Sequence, residues 1–374
     1  MSVGVLELVG KGSGFLRRRE AGYLPTDGDI HVGERIIRQY ELRAGDDIEG
    51  EVRNGGRGRG ASLEKVSLIN GRTPEQIRGR LEFTRLGAIH PNQQIKLECG
   101  LVRGGQPDFT NRVIDILCPF GKGQRALIVA PAKAGKTMVL QSIAEGVTAN
   151  QPDAALLILL VDERPEEVFE MEAAGVGEIV ASSFDNPASQ HVRVAELILE
   201  RARRRVELGQ DVVLIVDSLT RLARAYNAVE KGTGRTLSGG LDAQSLEKPK
   251  RFLGSARRVD PSQGGGSLTI IATCLVDTGS KMDQVIFEEF KGTGNSELVL
   301  SRELAERRIF PAIDLVASAT RREELLLSEE ELAVSRLLRH RLAGMPTVAG
   351  MNDLITDMKR SRTNAELVKT LAAG

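Results

Sequence analysis

The sequence is poor in aromatic side chains, which make up only 3% of its 374 residues, with no Trp. Any base stacking on aromatic rings must therefore rest on few positions. Cysteine is scarce too. Cys99, Cys118 and Cys274 lie far apart, which excludes a disulfide scaffold, offers no metal spacing and fits a reducing cytosol. Four scattered histidines give no zinc pattern. No apolar run approaches the ~20 residues that span a bilayer. Met1 to Gly14 has no basic segment followed by an apolar core, so neither a membrane partner nor a signal peptide is expected. Net charge is lacking as well, since 51 Lys+Arg balance 51 Asp+Glu. A whole-protein basic field is excluded, and nucleic-acid binding must use local patches.

What is present reads as a folded protein of two or three domains, with 41% hydrophobic and 27% charged residues. The texture changes near residue 120. Before it, Val3–Val9, Phe15-Leu16-Arg17, Asp29–Val32 and Ile48–Val52 are short strand-like pieces separated by turn residues, the pattern of a small β-barrel. Asn54-Gly-Gly-Arg-Gly-Arg-Gly60 reads as a basic hairpin tip. Thr73-Pro74 opens a helix or linker, and mixed connecting strands are expected up to Pro119. Beyond 120, apolar runs at Ala126–Ala130, Ala154–Val161, Ile179–Ser183, Val212–Val216 and Leu268–Thr273 alternate with helical stretches at Met138–Val147 and Val192–Leu208. Buried strands alternating with helices predict a doubly wound α/β domain. Ser328–Ala373 reads as mostly helical. The basic run Arg201–Arg205 reads as a solvated helix face. The expected domains are a barrel at 1–75, a linker at 76–115 and an α/β domain at 116–374.

Ala130-Pro-Ala-Lys-Ala-Gly-Lys-Thr137 lies between a buried strand and a helix, the context of a phosphate-binding P-loop. Ala130 replaces the usual first glycine. Backbone N–H groups and a helix N-terminus there concentrate positive potential on phosphates. Lys136 is expected to reach the β- and γ-phosphates of a nucleotide and Thr137 to hold Mg²⁺, without revealing which NTPase this is. Asp217 ends one buried strand and is the second candidate Mg²⁺ ligand. Asp162-Glu163-Arg164 follows another, and Glu163 is a candidate to polarise the attacking water. Each carboxylate alone could equally be a helix cap or an ion pair. The pairs at Arg307-Arg308 and Arg321-Arg322 read either as surface ion pairs or as a source of an arginine finger.

Several segments together carry a resemblance. Val129-Ala-Pro-Ala-Lys-Ala-Gly-Lys-Thr-Met138, Val161-Asp-Glu-Arg-Pro-Glu-Glu-Val168, Asp217-Ser-Leu-Thr-Arg-Leu-Ala-Arg-Ala-Tyr-Asn227, Asp277-Thr-Gly-Ser-Lys-Met-Asp283 and Glu288-Glu-Phe-Lys-Gly-Thr-Gly-Asn295 resemble the family of the bacterial transcription termination factor Rho. The likeness runs in order from about Gly4 to beyond Leu326. It implies a RecA-like P-loop ATPase domain behind an OB or cold-shock-like barrel, assembled as a cytoplasmic homohexameric ring with ATP between subunits. It implies capture of single-stranded nascent RNA, RNA-dependent ATP hydrolysis, translocation 5′ to 3′, and dealings with RNA polymerase and elongation factors. By motif, Glu163 becomes the catalytic carboxylate beside Lys136, and Arg321 the finger. Lys133, Ala134, Gly135, Lys136, Thr137 and Met138 cradle ATP, Arg164 and Arg308 touch it, and Phe310 lines the adenine pocket. Gly121, Lys122, Gly123, Gln124, Arg125 and Ala126 are expected beside the nucleotide. Two loops line the RNA channel: Arg235, Thr236, Leu237, Ser238 and Gly239 in one, Thr278, Gly279, Ser280 and Lys281 in the other.

On the barrel, the resemblance assigns RNA binding to Phe15, Arg17, Asp29, His31, Arg57 and Arg59. Ser13, His31 and Gly60 stand where the family commonly has aromatics. Weak base discrimination follows, with Arg57 and Arg59 supplying phosphate contacts instead. Strand alternation leaves Phe15 open as either a stacking platform or a core residue. The family's small N-terminal helical bundle is expected to be absent. Two other readings compete, a nucleic-acid-binding regulator with a degraded motor and a rotary ATP synthase-like subunit. Intact Lys136, Glu163, Asp217 and Arg321 oppose the first. The second leaves the Gly-Phe-Leu-Arg barrel and the Asp-Thr-Gly-Ser-Lys loop without a purpose.

Overall fold

Five short strands close the N-terminal barrel: β1 (Gly4–Val9), β2 (Ser13–Arg17), β3 (Ile30–Val32), β4 (Asp47–Arg53) and β5 (Ser62–Ile69), in the order β1-β2-β3-β5-β4. The computed structural model describes residues 4–10, 12–53, 60–230, 236–237, 240–242 and 244–372. Alternation sends Leu6, Leu16, Val32, Ile48, Leu63, Val66 and Ile69 inward to a small core. Strand β5 is an addition to the expected set. Its pairing with β4 shifts register at Glu49/Gly50 and Glu51/Val52, and such bulges break the period-two signal.

The C-terminal domain is built on a mostly parallel sheet. Its strands run in the order Glu178–Ser182, Ala155–Val161, Asp211–Asp217, Ser267–Val276, Arg125–Pro131 and Ser296–Val299, with Ala319–Thr320 antiparallel at the edge. Successive strand residues face opposite sides. Ile128, Ile158, Ile215 and Ile271 enter a core with the helices Thr110–Leu117, Lys136–Asn150 and Glu329–Ala343. Leu127, Leu157, Leu214 and Ile270 enter another with Ala188–Glu207, Leu219–Val229 and Lys281–Lys291. That double burial is why the strands read as continuous apolar runs. All eight residues of Thr110–Leu117 are buried, so a core helix stands where connecting strands were expected. The tail is helical at Glu329–Ala343, Thr347–Lys359 and Asn364–Ala372.

The Arg201–Arg205 expectation is corrected. Arg201 and Arg204 are 5% and 7% exposed, because the barrel sits on this helix. Arg201 donates to Tyr23 Oη at 2.8 Å and to Asp47 at 3.1 Å, and pairs with Glu178. Arg204 pairs with Glu200 and Glu207 at 3.0 and 3.2 Å. Arg43 and Arg80 from the barrel side reach Glu207 at 2.9 and 3.6 Å. Burial and Glu178 hold the Tyr23 phenol well above its usual range, although Arg201 opposes them. Gly45, at φ +86°, passes so close that a Cβ would run into the backbone of Glu200 and Arg201.

Candidate functional site

The carboxyl ends of the strands Arg125–Pro131, Ala155–Val161 and Asp211–Asp217 bring the candidate residues together. Ala130 and Pro131 end the P-loop strand, and the loop turns through Lys133 at φ 63° and Gly135 at φ 83° into the helix Lys136–Asn150. The left-handed turn at Gly135 is the conformation glycine adopts without strain. Lys136 Nζ lies 2.8 Å from Asp217 Oδ1, 3.1 Å from Glu163 Oε1 and 3.8 Å from Glu167 Oε2. Thr273 Oγ1 donates to the same Asp217 oxygen at 2.6 Å. Glu163 is 1% exposed. Burial, and next the Asp217 charge, push its carboxyl up to about 7, against the pull of Lys136 and Arg221. Burial tends to lower the Lys136 ammonium, but Asp217 and Glu163 outweigh it and hold it above its ordinary value. Thr137, half-buried one residue on, and Asp217 offer oxygen donors of the kind Mg²⁺ prefers alongside phosphate oxygens.

Arg221 escaped the sequence reading. Its guanidinium lies 3.3 Å from Glu163 Oε1 and 3.5 Å from Asp162 Oδ2, and it donates to the Asp162 carbonyl. The available signal was its place four residues after Asp217, one turn into the helix that Ser218 caps. Arg164, exposed, immediately precedes the helix Pro165–Ala173. Ala134 is buried and Met138 exposed in the P-loop and its helix. The segment after Ser296–Val299 carries Arg308 (φ 59°) and Phe310, and the Phe310 ring lies 3.5 Å from where a Gly135 Cβ would stand.

Two sets of predicted residues stand apart from this P-loop. Gly121, Lys122, Gly123, Gln124, Arg125 and Ala126 lead into the opposite end of the P-loop strand. The strand's seven residues make six steps of ~3.3 Å, which separates its two ends by ~20 Å. Arg321 is at that far end too. Its N–H donates to Asn295 O at 2.9 Å, and Asn295 N–H donates to Arg125 O at 2.9 Å. Burial, and then the Arg321 charge, lower the Arg125 pKa. The expectation that Gly121–Ala126 packs beside the nucleotide thus fails for the chain's own P-loop. Parallel strands direct that segment and the P-loop to opposite edges.

On the barrel, Phe15 points outward and Leu16 inward, which settles the face that alternation left open. The Phe15 ring meets His31 edge-on at 5.5 Å, and Arg17 lies 5.1 Å from its centroid. Arg17 is 4% exposed, with Nε 2.5 Å from Glu7 Oε2 and a second contact to Asp29. Asp29 also accepts from Thr26 N at 2.7 Å. Arg17 and Asp29 therefore serve each other first. Arg57 and Arg59 lie outside the described residues. Of the channel candidates, Arg235, Ser238 and Gly239 do too, while Thr236 and Leu237 form a short hairpin with Leu241–Asp242. In the other loop Thr278 donates to Asp283 at 2.6 Å, Gly279 has φ 76°, Ser280 caps the helix Lys281–Lys291, and Lys281 is exposed.

Family models match this chain in two parts. Residues 2–75 match the Rho termination factor RNA-binding domain, and residues 110–320 match the ATP synthase alpha/beta family nucleotide-binding domain. A transcription termination factor Rho from Gemmatimonas aurantiaca is 54% identical over 96% of this chain. The chain belongs to the transcription termination factor Rho family. The chain spans about half (48%) of that relative's length, and 87% of the Rho proteins of Haemophilus influenzae and Escherichia coli, at 52% and 50% identity over 98% of this chain. Among solved structures it resembles an ATPase of a bacterial type III secretion system, with a TM-score of 0.61 and 25% identity, covering 76% of this chain and 86% of that one. The nucleotide-binding match begins at Thr110, the first residue of the buried helix that opens this domain. The chain thus joins an RNA-binding domain to an ATPase domain, as an RNA-binding, ATP-dependent member of this family. Among the described residues no helix is long and apolar enough to cross a membrane.

Proposed function

We propose that this chain is the subunit of a cytoplasmic homohexameric ring that hydrolyses ATP when RNA is bound and moves 5′ to 3′ along nascent RNA to terminate transcription. The observation behind it is one ammonium, Lys136, held within 3.1 Å of both Asp217 and Glu163 at the ends of neighbouring buried strands. Lys136 turns to the β- and γ-phosphates when ATP enters, and Glu163, freed from it, accepts a proton from the attacking water. Arg221 steadies the Glu163 carboxylate in place of the departed lysine. Lys133 to Met138 cradle the phosphates, Arg164 and Arg308 flank the nucleotide, and Phe310 lies against the base. Thr137 and Asp217 would hold Mg²⁺, which neutralises phosphate charge when bound.

Arg321 stands a full strand length from its own P-loop, so it serves ATP held by the adjacent copy, with Gly121–Ala126 and Arg125 beside it. The barrel takes RNA on Phe15 and His31, with Arg17, Asp29, Arg57 and Arg59 around them. The loops Arg235–Gly239 and Thr278–Lys281 line the channel, where Lys281 meets phosphate and glycine lets the backbone approach. RNA polymerase and elongation factors are the partners. The test is ATP turnover with and without poly(C) RNA, followed by a termination assay on a template with an unstructured C-rich transcript. RNA stimulation with shortened transcripts is expected. RNA-independent turnover would overturn the reading in favour of a rotary-type ATPase, and RNA binding without turnover in favour of a regulator.

A further inference from the structure

One carboxylate joins the RNA face of the barrel to the ATPase domain. Glu7 on β1 accepts from Arg17 Nε at 2.5 Å and from Arg193 Nη2 at 2.7 Å, and its other oxygen pairs with Arg193 Nε. Arg17 lies beneath the Phe15 ring. Arg193 belongs to the helix Ala188–Glu207 of the ATPase domain. We infer that Arg193 is a positioning residue that couples RNA on the barrel to the nucleotide site through Glu7.

The two guanidiniums are unequal partners. Arg17 is 4% exposed and also holds Asp29, so removing it from its carboxylates would strand buried charge. Arg193 is 35% exposed, and pairs this open are weak enough to exchange. RNA stacked on Phe15 presses on the Arg17 guanidinium against that ring, and Arg17 carries Glu7 with it, so the open Arg193 pair is the one that breaks and frees the start of the helix. Without RNA the carboxylate is shared. These two settings of Glu7 are the discrete states that coupling requires.

The start of the helix touches the nucleotide site. His191, two residues before Arg193, is buried, bonds Ser182 Oγ at 2.8 Å and lies 4.0 Å from Asp162. Asp162 precedes Glu163, and Arg221 bonds both. Farther along, Arg201 pins the same helix to Tyr23, Asp47 and Glu178. Eight residues separate Arg201 from Arg193, ~12 Å of helix, so a shift at Arg193 tilts the first turns about a fixed point.

The inference rests on the proposed function, and the test separates the two. A fluorescent cytidine tetranucleotide, short enough for one barrel, is titrated into the full chain with and without a non-hydrolysable ATP analogue and Mg²⁺. The wild-type affinity is expected to differ by about fivefold or more between the two conditions. In Arg193→Met the ratio should fall to about one, with nucleotide-free affinity and RNA-free ATP turnover within about twofold of wild type. Arg193→Lys, which keeps the charge, should retain part of the ratio. An unchanged ratio in Arg193→Met overturns the coupling. So does an equal loss of affinity in both conditions, which would make Arg193 a direct phosphate contact. If wild type binds RNA and hydrolyses ATP but its affinity ignores the analogue, the coupling alone falls. If Phe15→Ala does not weaken the oligonucleotide, the barrel assignment itself fails.

Discussion

Lys136 holds Glu163 and Asp217 together before any phosphate arrives. Lys136→Ala should abolish turnover, because it removes the charge on the phosphates and leaves two buried carboxylates facing each other; steady-state phosphate release checks it. Glu163→Gln should keep ATP binding and cost ~10²–10⁴-fold in hydrolysis, the scale of a lost general base. Tight binding with near-normal turnover would remove Glu163 from that role. The sign of the pH dependence follows from burial and Asp217, which hold the Glu163 carboxyl up at about 7. The ionised form is the base, so kcat/KM for ATP should rise with pH through about 7 and fall away below it, since this parameter reports the free enzyme. A profile flat across that range would contradict it. Lys136 and Asp217 were legible because a P-loop and a strand-terminal aspartate are sequence patterns. Arg221 was not, since only the folded strand ends place its guanidinium against Glu163.

Strands and helices carry the next set of consequences. Ser13 shares the outer face of β2 with Phe15, two residues away. Ser13→Phe should therefore extend the stacking surface and tighten poly(C) binding by ~1–3 kcal/mol; fluorescence titration across a salt series measures it, and no gain would place Ser13 away from the RNA path. The helix Ala188–Glu207 was readable as a helix but not as a junction. Its Arg201–Arg205 run has the composition of a solvated face, and the acids that bury it (Asp47 on the barrel, Glu178 on the sheet) are remote in sequence. Arg201→Met should destabilise the seam by about 3–5 kcal/mol, the cost of stranding buried carboxylates. Thermal unfolding should then show the barrel releasing before the ATPase domain, and a single unshifted transition would refute this. Strand β5 stayed hidden for a related reason, because its bulged pairing with β4 breaks the alternation.

At the scale of the whole molecule, the α/β alternation disclosed the second domain, and the barrel showed in its turns. The dependence of one domain on the other did not show. Arg80, beyond the expected barrel boundary at residue 75, donates to fully buried Asp46 at 2.7 Å, so RNA binding is better measured on the full chain than on residues 1–75. Mixing Arg321→Ala chains with Lys136→Ala chains should restore turnover to sites that draw an intact half from each, although each variant alone is inactive. Full activity in an isolated single copy would refute the shared site. The strand that separates Arg321 from its own P-loop also governs inheritance. If a site needs a P-loop from one chain and Arg321 from the next, a cell carrying functional chains at fraction f, mixed with chains lacking both groups, retains intact sites in proportion to f². A damaged copy of the gene would then behave as dominant, doing more harm than its deletion.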